Sequence, residues 1–574
     1  MLRWRCALNN CKQIRIFALL LLVISSQWTF AASPEAKYSR DGMVTSRSEL
    51  ASKAGIEILK SGGNAIDAAV ATGFALAVTY PSAGNIGGGG FAVIRLADGN
   101  VVTLDHREKA PASAHKDMYL DAEGNVIKGE SRNTHKAAGV PGSVDGLLTM
   151  LEKYGSKSRK EVMAPAIRLA KKGFVLNRDL TRQFNNVAQR MTAYPGSMET
   201  FTNKGEKYQI GDIFVQKHLG KTLETISRRG RDGFYAGPVA DLIVAEMKRG
   251  NGEITHKDLQ DYQSVWRAPV KGSYRGYDIW GMSAPSSGGA LIVQMLNMFE
   301  PFDVKAMGWG SSEVIHLMLE GERRAYADRA EHLGDPDFYE VPMAMLTSKD
   351  YAKMRFSDFE KEKASDSNAI GAGSWPAESP QTTHFSVADG DGNLVSLTTT
   401  INSSYGNKIV VQGAGFLLNN EMDDFSLKEN TRNQFDLIGR SANAIAPGKR
   451  MLSSMSPTIV TKDGKPVLVT GSPGGSTIIT TVLQVVMNVI DHEMNISDAV
   501  SLPRFHHQWL PDRVFYDEYG ISPDTKKALE VMGHKDLKVV PWGRGIGDAN
   551  SILVKDGEIS GIHDPRNEGG AVGL

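Results

Sequence analysis

Cysteine is almost missing. The 574 residues hold only two, Cys6 and Cys11, and both precede any segment with a core-forming pattern. A chain that sheds them has no disulfide, no thiolate metal site, no iron–sulfur cluster and no cysteine nucleophile. A charge excess is missing too. The 65 basic residues are matched by 65 acidic ones with no long basic run, which argues against a nucleic-acid surface. The usual phosphate-binding loops are also absent. "HLGKT" ends like a P-loop, but Val215 stands where the first glycine is required. "GNIGGGG" follows a helical pattern rather than a strand, so it is no dinucleotide fingerprint. His506 and His507 are adjacent rather than four apart, which suits a structural pair better than a metal site. Neither a metal nor an organic cofactor is expected.

Beyond the N-terminus no segment is long and apolar enough to span a membrane. The N-terminus itself carries Arg3, Arg5, Lys12 and Arg15, then "IFALLLLVI", then "QWTFAAS". A basic start, a short apolar stretch and small residues near Ala31 and Ala32 predict a secretory signal over 1–31. The apolar stretch falls short of the roughly 20 residues a spanning helix needs. Its removal takes away four basic residues and no acidic one, leaving 61 against 65, and both cysteines leave with it.

The remaining chain shows no repeat. "SELASKAGIEILKSGGNAIDAAVATGFALAVTYP" predicts two helices broken at Gly62-Gly63, and "FAVIRLADGNVVTLD" predicts a hairpin turned at Asp98-Gly99. Residues 141–340 read as mostly helical. The clearest case is "SSEVIHLMLEGERRAYADRAEHLG", with charges on one side and apolar positions on the other. Residues 361–381 read as a linker of a length that is usually functional or disordered. Strand patterns follow in "TTHFSVA", "NLVSLTTTI" and "SPTIVTKDGKPVLVTG", and a helix in "STIITTVLQVVMNVIDH".

The stretch after the linker carries the chemistry. "ADGDGNL" is a strong turn signal. Folding there with the centre near Asp391 places Thr382 opposite Thr400 to within one position, at a cross-strand distance where paired hydroxyls interact. Thr382 is either an ordinary strand start or the point at which the chain is cut. A cut between Gln381 and Thr382 would give the threonine hydroxyl a base in its own α-amino group, whose pKa lies near 8. In "VLVTGSPGGSTIITTVLQ" a strand meets a helix through Gly474 and Gly475. That turn is either a plain connection or a nest of amides for an oxyanion. Arg107 in "LDHREKAP" suits a carboxylate, Ser453 and Ser454 in "MLSSMSP" add hydroxyls, and Asn402, Glu421 and Asp424 suit an ammonium. Together they would read an amino-acid head group; each alone has a dull alternative.

With these residues in view the chain resembles the gamma-glutamyltransferase (gamma-glutamyltranspeptidase) family of bacterial type. The resemblance runs through "GGNAIDAAVATGFALAVTYPSAGNIGGGGF", "LDHREKAP", "GVPGSVDGL", "APSSGGALIVQML", "RAYADRAEHLGDPDF", "TTHFSVADGDGN", "NNEMDDFS", "LSSMSPTIV", "TGSPGGS" and "PRFHHQWLPD". It implies an α/β (α+β) fold, the αββα sandwich of the N-terminal nucleophile hydrolases. It implies a precursor that cuts itself into a large subunit (32–381) and a small one (382–574), which stay together as a heterodimer. In this frame Thr382 is the nucleophile, Thr400 its hydroxyl partner, and Gly474 and Gly475 the oxyanion hole. Arg107, Ser453 and Ser454 hold the α-carboxylate, and Asn402, Glu421 and Asp424 the α-amino group. Glutathione and other γ-glutamyl compounds are the expected donors, and water, amino acids or dipeptides the acceptors. The resemblance and the leader favour a periplasmic location, with secretion as the alternative. Two departures stand out: Glu421 where many bacterial relatives carry Gln, and Phe435 where a lid loop often carries Tyr. Two other activities fit the same residues: a glutaryl or cephalosporin acylase of the same fold, and an exported binding protein without turnover.

Overall fold

Two antiparallel sheets carry the molecule. The computed structural model describes residues 33–370, 382–428, 441–543 and 545–574. The expected leader, Gln381 on one side of the expected cut, and Phe435 lie outside the described residues. Among those described, the strands of the two sheets run in chain order as β1 (Lys37–Ser39), β2 (Gly42–Ser46), β3 (Gly89–Arg95), β4 (Val101–Asp105), β5 (Val265–Arg267), β6 (Val270–Tyr274), β7 (Tyr277–Gly281), β8 (Thr382–Asp389), β9 (Leu394–Thr400), β10 (Thr458–Lys462), β11 (Lys465–Thr470), β12 (Ser551–Lys555), β13 (Glu558–Ile562) and β14 (Gly570–Gly573). One seven-stranded sheet has the order β14-β2-β8-β9-β3-β4-β5 and the other β1-β13-β12-β11-β10-β7-β6. Phe91, Val93, Ala388 and Leu394 of the first sheet meet Ile459, Val469, Ile552 and Ile559 of the second in a shared apolar layer. Each sheet buries its outer face under helices, which gives the αββα layering the resemblance implied.

The helices over the first sheet include α1 (Glu49–Lys60) and α2 (Ala65–Thr79), broken at Gly62-Gly63 as the sequence predicts. All of α2 is buried, and its alanines let it lie close to its neighbours. Its start is fixed chemically. Asn64 accepts from the Ile66 and Asp67 amides at 2.9 and 3.0 Å, and Asp67 accepts from the Asn64 amide at 2.9 Å, a reciprocal cap. Over the second sheet lie α3 (Gly288–Phe299), α4 (Ser312–His332) and α5 (Thr477–Ile490).

Three expectations change. The region 141–340 is helical but is interrupted by the short strands β5–β7, whose polar, partly exposed residues hid the pattern. The charged side of α4 does not face solvent. Glu320, Glu322, Arg323, Arg324 and Arg329 are all buried, and Glu320 alone is bonded to both Arg323 and Arg324. The first half of the expected linker is also packed. The Ala364 amide donates to Met532 O at 2.6 Å and the Trp509 indole to Ser367 O at 2.7 Å. Among the described residues no helix is long and apolar enough to cross a membrane.

Candidate active site

The β8–β9 hairpin occupies the middle of its sheet, so both strands are held on two sides. Its register pairs Thr382 with Thr400, Thr383 with Thr399 and Phe385 with Leu397, as the turn signal predicted. The turn is set by Asp389, which accepts from the Asp391 and Asn393 amides at 3.1 and 2.9 Å and from the first amide of α2, Ala65, at 2.8 Å. Side-chain alternation divides the hairpin into two faces. Phe385 and Val387 point into the helical core. Thr382, His384 and Ser386 point towards the other sheet, opposite Thr400, Thr398 and Ser396. This polar row is buried and internally bonded. The His384 ring nitrogens lie 2.9 Å from Thr398 Oγ1 and 3.0 Å from Ser386 Oγ, and burial lowers its pKa to about 3, so the imidazole is neutral. Ser386 and Ser396 donate to Asn550 O and Thr470 O on the facing sheet at 2.8 and 2.9 Å.

At the open end of this row Thr382 Oγ1 lies 3.4 Å from Thr400 Oγ1, at the long limit of a hydrogen bond. Thr400 Oγ1 also accepts from the Asn402 amide at 2.8 Å. Asn402 adopts φ of 64°, which turns the chain out of β9, and its Nδ2 donates to Asn420 O at 2.9 Å. The glycine run "GNIGGGG" explains how β9 reaches this position. A Cβ on Gly88 would lie 2.0 Å from Thr400 O, and one on Gly90 would lie 2.3 Å from Thr398 O. Asn85 closes the contact, donating to Thr400 O at 2.9 Å and Thr399 Oγ1 at 3.1 Å.

The expected head-group residues converge. Arg107, at 1% exposure, sends one ω-nitrogen to Glu421 and the other to Asp424 Oδ2 at 2.6 Å. Its Nε donates to Met451 O and its Nη2 to Leu452 O, each at 3.2 Å, directly before Ser453 and Ser454. The guanidinium and the two carboxylates therefore satisfy one another. Ser453 Oγ accepts from the Met455 amide at 3.1 Å, and Ser454 Oγ accepts from Arg329 at 2.7 Å. Gly474 and Gly475 stand at the N-terminus of α5 with φ of 140° and 61°, which only glycine adopts readily. Among the described residues neither glycine amide is used in a hydrogen bond, and no bond joins them to Thr382.

The arrangement brings together a paired threonine at a strand start, a glycine turn with unused amides at a helix N-terminus, and a buried cluster of one arginine and two carboxylates. A family model described as Gamma-glutamyltranspeptidase matches residues 51–574. The chain belongs to the gamma-glutamyltranspeptidase family. A glutathione hydrolase proenzyme from Escherichia coli is 47% identical over 571 residues, covering 96% of this chain and 98% of that one. A crystal structure of Helicobacter pylori gamma-glutamyltranspeptidase is 49% identical with a TM-score of 0.56, covering 56% of this chain and 93% of its own. A cephalosporin acylase from Bacillus halodurans is 27% identical with a TM-score of 0.84, covering 96% and 98%. The chain is thus an enzyme with the N-terminal nucleophile hydrolase fold.

Three further side chains that no motif marks lie against these residues: Glu108, Arg329 and Asn85. Glu108 follows Arg107 in the chain, and its carboxylate lies 3.6 Å from Arg107 Nη1; among the described residues neither oxygen has a hydrogen-bond partner. Burial pushes Glu108 up to about 7 and Glu421 well above the carboxylate range, and raises Asp424 too, all against the pull of Arg107. Arg329 was hidden in the charged pattern of α4, and Asn85 in the loop before the glycines. Their only signal was an ionisable or amide side chain beside a motif already singled out. Elsewhere, His316, Glu320 and His534 bring ligand-type atoms within 4.8 Å of one another. The two histidines bond to each other at 2.8 Å, and the arginines on Glu320 oppose a cation there.

Proposed function

We propose that the chain is an exported precursor that cuts itself between Gln381 and Thr382. The resulting heterodimer, located in the periplasm, transfers the γ-glutamyl group of glutathione and related amides to water, amino acids or dipeptides. The observation that carries this reading is Thr382 at the first position of a central strand, with Thr400 Oγ1 at 3.4 Å and an amide-lined turn in the facing layer. The name of the Escherichia coli relative supports both the precursor and glutathione as donor.

In the precursor the Thr382 hydroxyl attacks the Gln381 carbonyl, the acyl group shifts from nitrogen to oxygen, and water hydrolyses the ester. The released α-amino group then serves as base. Thr382 Oγ attacks the γ-carbonyl of the donor while its proton passes to that amine. The Gly474 and Gly475 amides hold the oxyanion. The C–N bond breaks, the proton goes to the leaving amine, and a γ-glutamyl ester remains on Thr382. Water or an acceptor amine attacks this ester and regenerates the hydroxyl. At the other end of the donor, the α-carboxylate takes Arg107, Ser453 and Ser454, and the ammonium takes Asn402, Glu421 and Asp424. The donor thereby exchanges partners with an existing buried ion pair instead of desolvating unpaired charges.

The acylase reading draws on the Bacillus halodurans likeness. A glutaryl group lacks the ammonium, however, and would leave Glu421 and Asp424 with Arg107 alone, so the carboxylate pair supports the γ-glutamyl donor. Hydrolysis of γ-glutamyl and glutaryl anilides by the purified enzyme tests this choice. A higher kcat/KM on the γ-glutamyl compound is expected, and a higher value on the glutaryl compound would overturn it.

A further inference from the structure

Arg329 sits on α4, away from the strands that carry the reacting atoms, yet its guanidinium lies directly behind the serine pair. It is fully buried. Its Nε donates to Ser287 Oγ at 2.6 Å and its Nη2 to Ser454 Oγ at 2.7 Å. Ser287 caps the start of α3 and ties that helix to the serine segment, since its amide and its hydroxyl both donate to Ser453 O at 2.8 Å. Arg329 also acts electrostatically on Asp424.

The direction of these bonds matters. A guanidinium has donors and no acceptor, so each hydroxyl that meets Arg329 must accept from it and send its own proton elsewhere. The Ser287 proton goes to Ser453 O. Among the described residues the Ser454 hydroxyl is bonded to Arg329 and has no acceptor for its proton. That hydroxyl is therefore preset as a donor.

We propose that Arg329 is a positioning residue for donor recognition, holding Ser454 as an obligate hydrogen-bond donor to the substrate α-carboxylate and placing a second positive charge behind that carboxylate. The proposal rests on the assignment of Ser453 and Ser454 to the carboxylate. It predicts a selective defect. Donors with the carboxylate lose affinity when Arg329 is changed, and donors without it do not. Lysine keeps the charge but has one nitrogen, which cannot serve Ser287 and Ser454 in the forked geometry.

The test uses the processed enzyme, three anilide donors and three variants. The donors are γ-glutamyl (carboxylate and amine), glutaryl (carboxylate only) and 4-aminobutyryl (amine only). For Arg329→Gln, KM for the two carboxylate donors rises about tenfold, the loss of one charge-assisted hydrogen bond. With the 4-aminobutyryl donor, kcat/KM stays within about threefold of the unchanged enzyme, a bound below one such bond. Arg329→Lys regains part of the loss, and it carries the test if Arg329→Gln does not fold. Ser454→Ala reproduces the same selectivity. Equal losses on all three donors, or no loss on any, would overturn the proposal. If Ser454→Ala is selective and the Arg329 variants are not, the positioning role alone fails. If Ser454→Ala shows no selectivity, the carboxylate assignment fails and the positioning role with it.

Discussion

Replacing Glu108 by glutamine isolates the electrostatic load on the pocket. Glu108 is fully buried, and among the described residues neither of its carboxylate oxygens has a hydrogen-bond partner. Burial raises its pKa from 4.5 to about 7. The folded protein therefore keeps this proton up to about pH 7, whereas the unfolded chain releases it near pH 4.5. Between those values the unfolded state binds fewer protons, so stability falls as pH rises. The loss across this window is on the order of 3–4 kcal/mol. Glutamine has the shape of the protonated side chain and cannot ionise. Below pH 5 the Glu108→Gln enzyme and its parent should unfold at similar temperatures. Towards pH 8 the variant should become the more stable, by several degrees for a chain of this size. Unfolding temperatures between pH 5 and 9, read by circular dichroism on processed enzyme, measure the difference. Parallel curves for the two proteins would show that Glu108 does not hold a proton in the fold and would refute the reasoning.

Two further changes probe the hairpin. Thr400→Val keeps the volume but removes the hydroxyl that meets Thr382 and accepts from the Asn402 amide. Self-cleavage and kcat should each fall by about three- to tenfold or more, the worth of one hydrogen bond plus a stranded amide, as followed by gel and by anilide release. Gly88→Ala would place a Cβ 2.0 Å from Thr400 O. The expected result is a loss of about 1–3 kcal/mol of stability and slowed cleavage, because β9 must shift to make room; thermal melts and a cleavage time course would show it.

Local signals carried the hairpin. Two Asp-Gly pairs marked the turn, and counting outward from Asp391 placed Thr382 opposite Thr400 to within one position, because a strand pair admits little else once its turn is set. The helix break at Gly62-Gly63 was legible for a similar reason, as two adjacent glycines interrupt the helical pattern locally. What failed was the meaning of polarity. Thr382, His384 and Ser386 alternate with apolar residues in a strand whose pattern suits a buried sheet, but the alternation does not say that a second sheet covers them. The charged side of α4 looks solvated, yet Arg323, Arg324 and Arg329 are buried there. Both depend on partners far along the chain: Asn550 for Ser386, and Ser287 and Ser454 for Arg329. Periodicity reports that two faces differ and does not report what covers them. The mutual bonding of Arg107 with Glu421 and Asp424 spans more than 300 residues, and no spacing rule connects them.

The central claim is that Thr382 becomes a free N-terminal nucleophile. The denatured mass of the purified protein, with N-terminal sequencing of every chain, tests it most directly. The account predicts two chains, the smaller beginning Thr382-Thr383-His384-Phe385, and a single uncut, inactive chain for Thr382→Ala. An active enzyme that remains one chain, or a cut at any other position, would contradict it.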